Sequence, residues 1–303
     1  MKIYENISQL IGRTPTIKLN RLNEGVKNEI YAKLESFNPL HSVKDRTAYG
    51  MISDAFIDGR LRKGSTVVEA TSGNTGISLA WLGASMGFKT VIVMPENMSL
   101  ERRKIIKYFG GEIILTAAKE GMKGAVEKAK ELSDQNGWFM PAQFENTSNV
   151  SVHYSSTGPE IMNDTGGKLD FFVCGVGTGG TLSGAGSYLK ERIPNIKIIA
   201  VEPLNSPVLS GGERGVHKIQ GIGAGFKPEI LDISIIDKII KVSDEDALKT
   251  ASELAKKEGI FAGISSGAAV KAALEISKDF SGKKIAVILP DTAERYLSTE
   301  LFS

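Results

Sequence analysis

Short apolar runs rich in valine and isoleucine recur along the chain and alternate with stretches of helical periodicity. Eight runs read as strands: STVVEA, KTVIVMP, EIILT, WFMPAQ, LDFFVCGV, KIIAVEP, IDKIIKV and KKIAVILPD. Helical patterns begin near Ser42, Asn74, Ser99, Met122, Thr181, Ser243 and Ser266, and several close on glycine, as at Gly87, Gly110 and Gly137. Strands that are apolar throughout are covered on both faces, and strands separated by helices pair in parallel. This rhythm suits a barrel or two doubly wound sheets. Glycine-rich turns cluster at residues 73–76 and 175–180, which favours two sheets. The expected fold class is α/β, with two doubly wound parallel-sheet domains. No low-complexity linker separates them, so the boundary is tight, near residues 145–150, with the first 35 residues packing back on the second half.

One residue breaks the apolar pattern. In NPLHSVKDRTA, Ser42 reads as a helix N-cap and Asp45 as its capping-box partner. Ala48, Met51, Ile52, Ala55 and Phe56 then make one apolar face. Lys44 falls on that face, in the first turn, where burial and the helix dipole both disfavour a cation. Two readings stand: a lysine that extends its ammonium to solvent, or a nucleophilic amine.

Composition narrows the partners. The chain has 303 residues, 41% hydrophobic and 24% charged, and a formal net charge of +2, too small to suggest nucleic acid. The N-terminal MKIYENISQL carries no long apolar run, so neither a signal peptide nor a membrane span is expected, and a cytoplasmic protein fits. The single cysteine, Cys174, lies in an apolar strand and reads as a buried thiol. Three scattered histidines and one cysteine give no metal-ligand spacing, so no metal is expected.

Three glycine- and hydroxyl-rich loops carry candidate chemistry. In EATSGNTG, Thr71, Ser72, Asn74 and Thr75 sit where a strand gives way to a helix, an anion site sized for a carboxylate or phosphate. A capped loop needs only one such side chain. In CGVGTGGTLSG, Gly175, Gly177 and Gly180 match G-x-G-x-x-G, and Glu202 ends the next strand. A dinucleotide or a monophosphate would fit it, so an NAD-dependent dehydrogenase stands as an alternative. GISSG around Ser265 matches a nucleophile elbow, but His41, His153 and His217 all precede it, the wrong order for that hydrolase triad. Ser265 is then a helix cap or a hydrogen-bond partner for a bound ring. An amine, an anion loop, a phosphate cradle and a neutral hydroxyl are together the parts that hold pyridoxal phosphate and an amino acid.

With these motifs in order, the sequence resembles the cysteine synthase (O-acetylserine sulfhydrylase) family of fold type II pyridoxal-phosphate enzymes. The resemblance runs from LIGRTPTIKLNRL to ILPDTAERYLST through NPxxSVKDR, TSGNTG, QFEN, TGPEI, GVGTGGTLSG, AVEP, QGIGAGF and GISSGAA. It implies a tryptophan synthase β-subunit-like fold with the active site between two domains. Residues 36–147 would form the smaller one, with a mobile part that closes on substrate, and 1–35 with 148–303 the larger, cofactor-phosphate-binding one. It implies Lys44 as the Schiff-base lysine and the acid–base group at Cα. Asn74 would meet the cofactor ring oxygen, Gly177, Thr178, Gly179, Gly180 and Thr181 its phosphate, and Ser265 its pyridine nitrogen. Thr71, Ser72, Gly73, Thr75 and Gln143 would clamp the substrate carboxylate, and Gly221–Gly225 would border the entrance.

The activity so implied is β-replacement: O-acetyl-L-serine and sulfide give L-cysteine and acetate. A rival consumes cysteine, releases hydrogen sulfide and forms lanthionine, serine or cystathionine. The resemblance further implies a homodimer and a site able to take the C-terminal peptide of a serine acetyltransferase. The sequence departs from the family at Leu40 and His41, where a small residue, commonly glycine, stands; at Ala70, for a common proline; after FEN, where prolines are frequent; and in PDTAERY, for PDSGERY. Leu40 and His41, near Lys44 in sequence, read either as neutral drift or as a change in which leaving group or nucleophile is accepted.

Overall fold

The computed structural model describes residues 3–303. In chain order its elements are β1 (Thr16–Leu19), β2 (Glu29–Leu34), α1 (Lys44–Ile57), β3 (Thr66–Ala70), α2 (Asn74–Met86), β4 (Lys89–Pro95), α3 (Leu100–Tyr108), β5 (Glu112–Thr116), α4 (Gly121–Asn136), α5 (Ser148–Val152), α6 (Gly158–Thr165), β6 (Phe171–Gly175), α7 (Gly180–Arg192), β7 (Lys197–Pro203), β8 (Lys238–Val242), α8 (Asp244–Glu253), α9 (Ile264–Asp279) and β9 (Lys284–Leu289). A π-helical turn, His153–Thr157, fills the step from α5 to α6. The chain forms two compact units. One holds the chain up to Ile11 and Lys44–Asn149; the other holds Gly12–Val43 and Val150–Ser303.

The first unit is built on the parallel sheet β3-β4-β5. Side chains alternate across a strand. Val68, Ala70, Val91 and Val93 therefore share one face, packed with Ala125 and Ala129 of α4. Helix α2 lies against β4, is buried from Thr75 to Gly83, and ends at Gly87 in the left-handed conformation (φ +83°) that favours glycine. In α1 the predicted apolar positions Ala48, Met51, Ile52 and Ala55 are fully buried.

The second unit has the sheet order β1-β2-β9-β6-β7-β8, parallel except for the antiparallel edge pair β1-β2. Phe171, Val173, Ile199, Val201, Ile285 and Val287 face one core with Ala268, Ala269, Ala272 and Ile276 of α9. Phe172, Cys174, Ile198, Ala200, Ala286 and Ile288 face the other with Leu182, Ala185 and Leu189 of α7. Cys174 is buried and forms no disulfide. Each large apolar side chain buried here contributes on the order of 2 kcal/mol.

Three features differ from the sequence pattern. WFMPAQ is no strand: only Phe139 bridges to Val67, and Ala142 turns the chain out of extended conformation at φ +52°. Strands β1 and β2 and the helical stretch 148–165 carry too many polar residues to register as apolar runs. The units also divide at 11/12, 43/44 and 149/150, not at 35/36 and 147/148, so the chain up to Ile11 joins the first unit rather than the second. Asn6 Nδ2 donates to the Ser85 carbonyl (3.2 Å) within the first unit. Residues 38–43 are bound into the second: Gly12 N donates to Asn38 Oδ1 (2.8 Å) and Val43 N to the Pro290 carbonyl (2.8 Å).

Candidate active site

In the first unit, Lys44 opens α1 and is half-buried. The expected capping partner Asp45 is fully buried, and its carboxylate accepts from Ser78 Oγ of α2 (2.6 Å), tying the two helices together. The loop from β3 to α2 carries Thr71, Ser72 and Gly73. Thr71 N donates to the Val93 carbonyl (3.1 Å), and Gly73 N donates to Thr71 Oγ1 (3.2 Å). The N-cap of α2 is Gly73, which offers no side-chain acceptor to the positive end of the helix. A Cβ added at Gly73 meets nothing within 4 Å, so the backbone faces open space there. Asn74 is the first residue of α2. Thr75 Oγ1 donates to Gln143 Oε1 (2.7 Å), so the chain brings these two together across 68 residues.

Two groups beside this loop escaped the sequence reading. Arg102 of α3, 7% exposed, donates to the Ser72 carbonyl (3.4 Å). Glu69 of β3, 2% exposed, accepts from Ala142 N (2.8 Å) and Gln143 N (3.5 Å). Burial pushes its carboxyl up to about 7, the two amides pull it down, and the nearby Glu145 charge adds a little upward. A glutamate inside an apolar strand was the signal available in the sequence.

In the second unit, the turn from β6 to α7 carries Gly177, Thr178 and Gly179. A Cβ at Gly177 falls 2.3 Å from the Gly221 carbonyl oxygen, and one at Gly179 (φ +88°) falls 2.9 Å from Leu231 Cβ. Both positions therefore require glycine. Gly179 is the N-cap of α7 and offers no side-chain acceptor; Gly180 N donates to Thr178 Oγ1 (3.4 Å). The hydroxyl of Thr181 lies 3.2 Å from Nε2 of the fully buried His153, whose Nδ1 lies 2.8 Å from Thr157 Oγ1. His153 entered the sequence argument only as a misplaced triad histidine. Ser265 lies inside the first turn of α9, not at its cap, which is Gly263; its Oγ is 3.9 Å from where a Cβ on Gly221 would sit. The Gly177–Gly179 turn, the Gly221–Ile222 turn and Ser265 are thus neighbours. His41 stands in a left-handed turn (φ +58°), exposed, with Nδ1 3.0 Å from the Ser36 carbonyl, and Arg295 donates to the Leu40 carbonyl (2.7 Å).

Residues 7–291 match the family model described as pyridoxal-phosphate dependent enzyme. The chain belongs to that family. Its cofactor is pyridoxal phosphate, and the dehydrogenase alternative falls away. A cysteine synthase of Staphylococcus aureus is 52% identical over the whole chain and 98% of its own length. The crystal structure of a cysteine synthase from Entamoeba histolytica matches 99% of this chain and 91% of its own at TM-score 0.96 and 45% identity. A hydrogen sulfide-producing enzyme from Fusobacterium nucleatum matches 97% of this chain and all of its own at TM-score 0.93 and 46% identity. These likenesses carry the fold: α/β with parallel sheets, of fold type II. The residues present fit the family's cofactor. Gly177, Gly179 and Gly180 bring the chain into α7 without side chains, Ser265 supplies a neutral hydroxyl near that turn, and in the other unit α1 begins with an amine. Among the described residues, no helix is long and apolar enough to cross a membrane.

Proposed function

We propose that this chain is a cysteine synthase, converting O-acetyl-L-serine and sulfide to L-cysteine and acetate. The observation that carries this reading is the start of α2. An open helix N-terminus, the hydroxyls of Thr71, Ser72 and Thr75, and Gln143 held on Thr75 make a site for an amino acid's carboxylate in the unit that carries Lys44. The cysteine synthase likeness over the full chain supports the choice of substrate.

In this reading the cofactor, when bound, is the electron sink for charge at the substrate Cα. Gly177, Thr178, Gly179, Gly180 and Thr181 would hold its phosphate through backbone amides and the α7 dipole. Asn74 would meet its ring oxygen and Ser265 its pyridine nitrogen. A serine hydroxyl does little to keep a proton on that nitrogen, which favours prompt elimination over long-lived charge at Cα. Lys44 would hold the cofactor covalently at rest and, once the substrate amine has displaced it, its free amine would take the α-proton and later return it. The Cβ–O bond breaks as acetate leaves, and sulfide forms the new Cβ–S bond.

The likeness to the sulfide-producing enzyme favours a second reading, in which cysteine is the donor and sulfide the product. The loaded enzyme decides between them when given O-acetylserine with sulfide in one vessel and L-cysteine alone in another. Faster cysteine formation in the first supports the proposal; faster sulfide release in the second overturns it. A homodimer, a cytoplasmic location and docking of an acetyltransferase C-terminal carboxylate on the α2 loop belong to the same reading. Light scattering of the pure protein, and competition of such a peptide with O-acetylserine, test the assembly and the docking.

A further inference from the structure

Gln143 is held from three sides, and one of them is a carboxylate in the core. Its side-chain oxygen accepts from Thr75, its carbonyl accepts from Asn149 Nδ2 (2.9 Å), and its amide points to Glu69. The preceding residue, Ala142, stands at φ +52°, a conformation that disfavours any side chain with a Cβ. Around such a residue, consecutive amides turn to one side and form a concave donor pair suited to an anion. Here the anion is internal: the Glu69 carboxylate accepts from both amides. Burying a carboxylate in an apolar strand is costly without such bonds. The Ala142 carbonyl also anchors the turn after Gln143, accepting from Glu145 N (2.9 Å) and Asn146 N (3.0 Å).

We propose that Glu69 is a positioning residue for the substrate carboxylate: it locks the left-handed turn at Ala142 and so presents Gln143 beside Thr75. The proposal rests on the reading of Gln143 as part of the carboxylate clamp. It assigns Glu69 no contact with substrate. Glutamine in its place keeps one acceptor for the Ala142 amide and sets an N–H group against the other donor.

The test uses the loaded enzyme and two readouts: the dissociation constant of L-alanine, which has the carboxylate but no leaving group, by titration calorimetry, and the KM and kcat for O-acetylserine. Gln143→Ala weakens L-alanine binding by about tenfold, the order expected for a lost hydrogen bond to a charge. Glu69→Ala does the same, and its loss falls on KM rather than kcat. The double variant binds L-alanine no worse than Gln143→Ala, because Glu69 acts through Gln143. Additive losses, or unchanged L-alanine binding in Glu69→Ala beside a weakened Gln143→Ala, overturn the proposal. If Gln143→Ala binds as the parent does, the clamp reading itself fails and the proposal falls with it. Should Glu69→Ala not fold, Glu69→Gln enters the same cycle with an expected loss of about threefold.

Discussion

Replacing Glu69 by glutamine changes how stability depends on pH. In the folded chain the carboxyl is raised from 4.5 to about 7, first by burial. The folded state therefore holds a proton more tightly than the unfolded state. Between those two values the folded chain carries more protons, so stability falls as pH rises through the window, and the full cost is present above the folded value. A shift of about 2.5 units, at about 1.4 kcal/mol each, sets a full cost of about 3.4 kcal/mol. By the same linkage, about 0.8 kcal/mol of that is already present at pH 5 and nearly all of it at pH 8. Glutamine has no proton to bind. The stability of Glu69→Gln relative to the parent should therefore rise by about 2.5 kcal/mol from pH 5 to pH 8. Any constant cost of the amide cancels in that comparison. Urea unfolding of both proteins at each pH, followed by far-UV circular dichroism, measures it. A difference that stays flat within about 0.5 kcal/mol, or falls with pH, refutes the argument that burial of this carboxyl raises its proton affinity.

Three further changes test the geometry. Gly177→Ala drives a Cβ against the Gly221 carbonyl, so the turn must shift; at about 1–3 kcal/mol for such overpacking, affinity for pyridoxal phosphate drops about 5- to 150-fold in a spectroscopic titration, whereas Gly73→Ala, with open space at its Cβ, leaves that affinity near the parent's. Lys44→Ala abolishes covalent fixation of the cofactor by borohydride, read by mass spectrometry, and reduces turnover by at least about a thousandfold. Lys33 of β2, buried, donates to the Thr14 carbonyl (2.6 Å) and pairs with Glu160 (3.1 Å) and Asp164 (2.9 Å). Lys33→Ala leaves two carboxylates facing each other and lowers unfolding free energy, measured by urea denaturation, by about 2–3 kcal/mol, less than a fully buried pair because both acids reach solvent.

The strands with continuous Val and Ile runs, and the helices from α1 to α4 and α7 to α9, were legible because their signals are local. An apolar run needs cover on two faces, and a glycine after a helical pattern allows the left-handed turn that ends it. The strand-to-helix turns before α2 and α7 were legible for the same reason: the glycines that allow them lie within the turns themselves. Strand β2 was not, because Lys33 looks like a solvent residue until Glu160 and Asp164, more than a hundred positions away, come beside it. WFMPAQ looked like a strand because its pattern is apolar; the turn at Ala142 that prevents it is sustained by Glu69, seventy-three residues earlier.

The Val- and Ile-rich strands, the helices between them and the glycine turns were thus determined by the sequence itself, since each depends on residues within one or two turns of one another. The partners of the buried charged and polar groups were decided only by the tertiary structure: Glu69 on the Gln143 loop, Asp45 on Ser78, His153 on Thr181, Lys33 on its two acids. A buried polar group must find a partner, but which one depends on the strands and helices that folding brings alongside it.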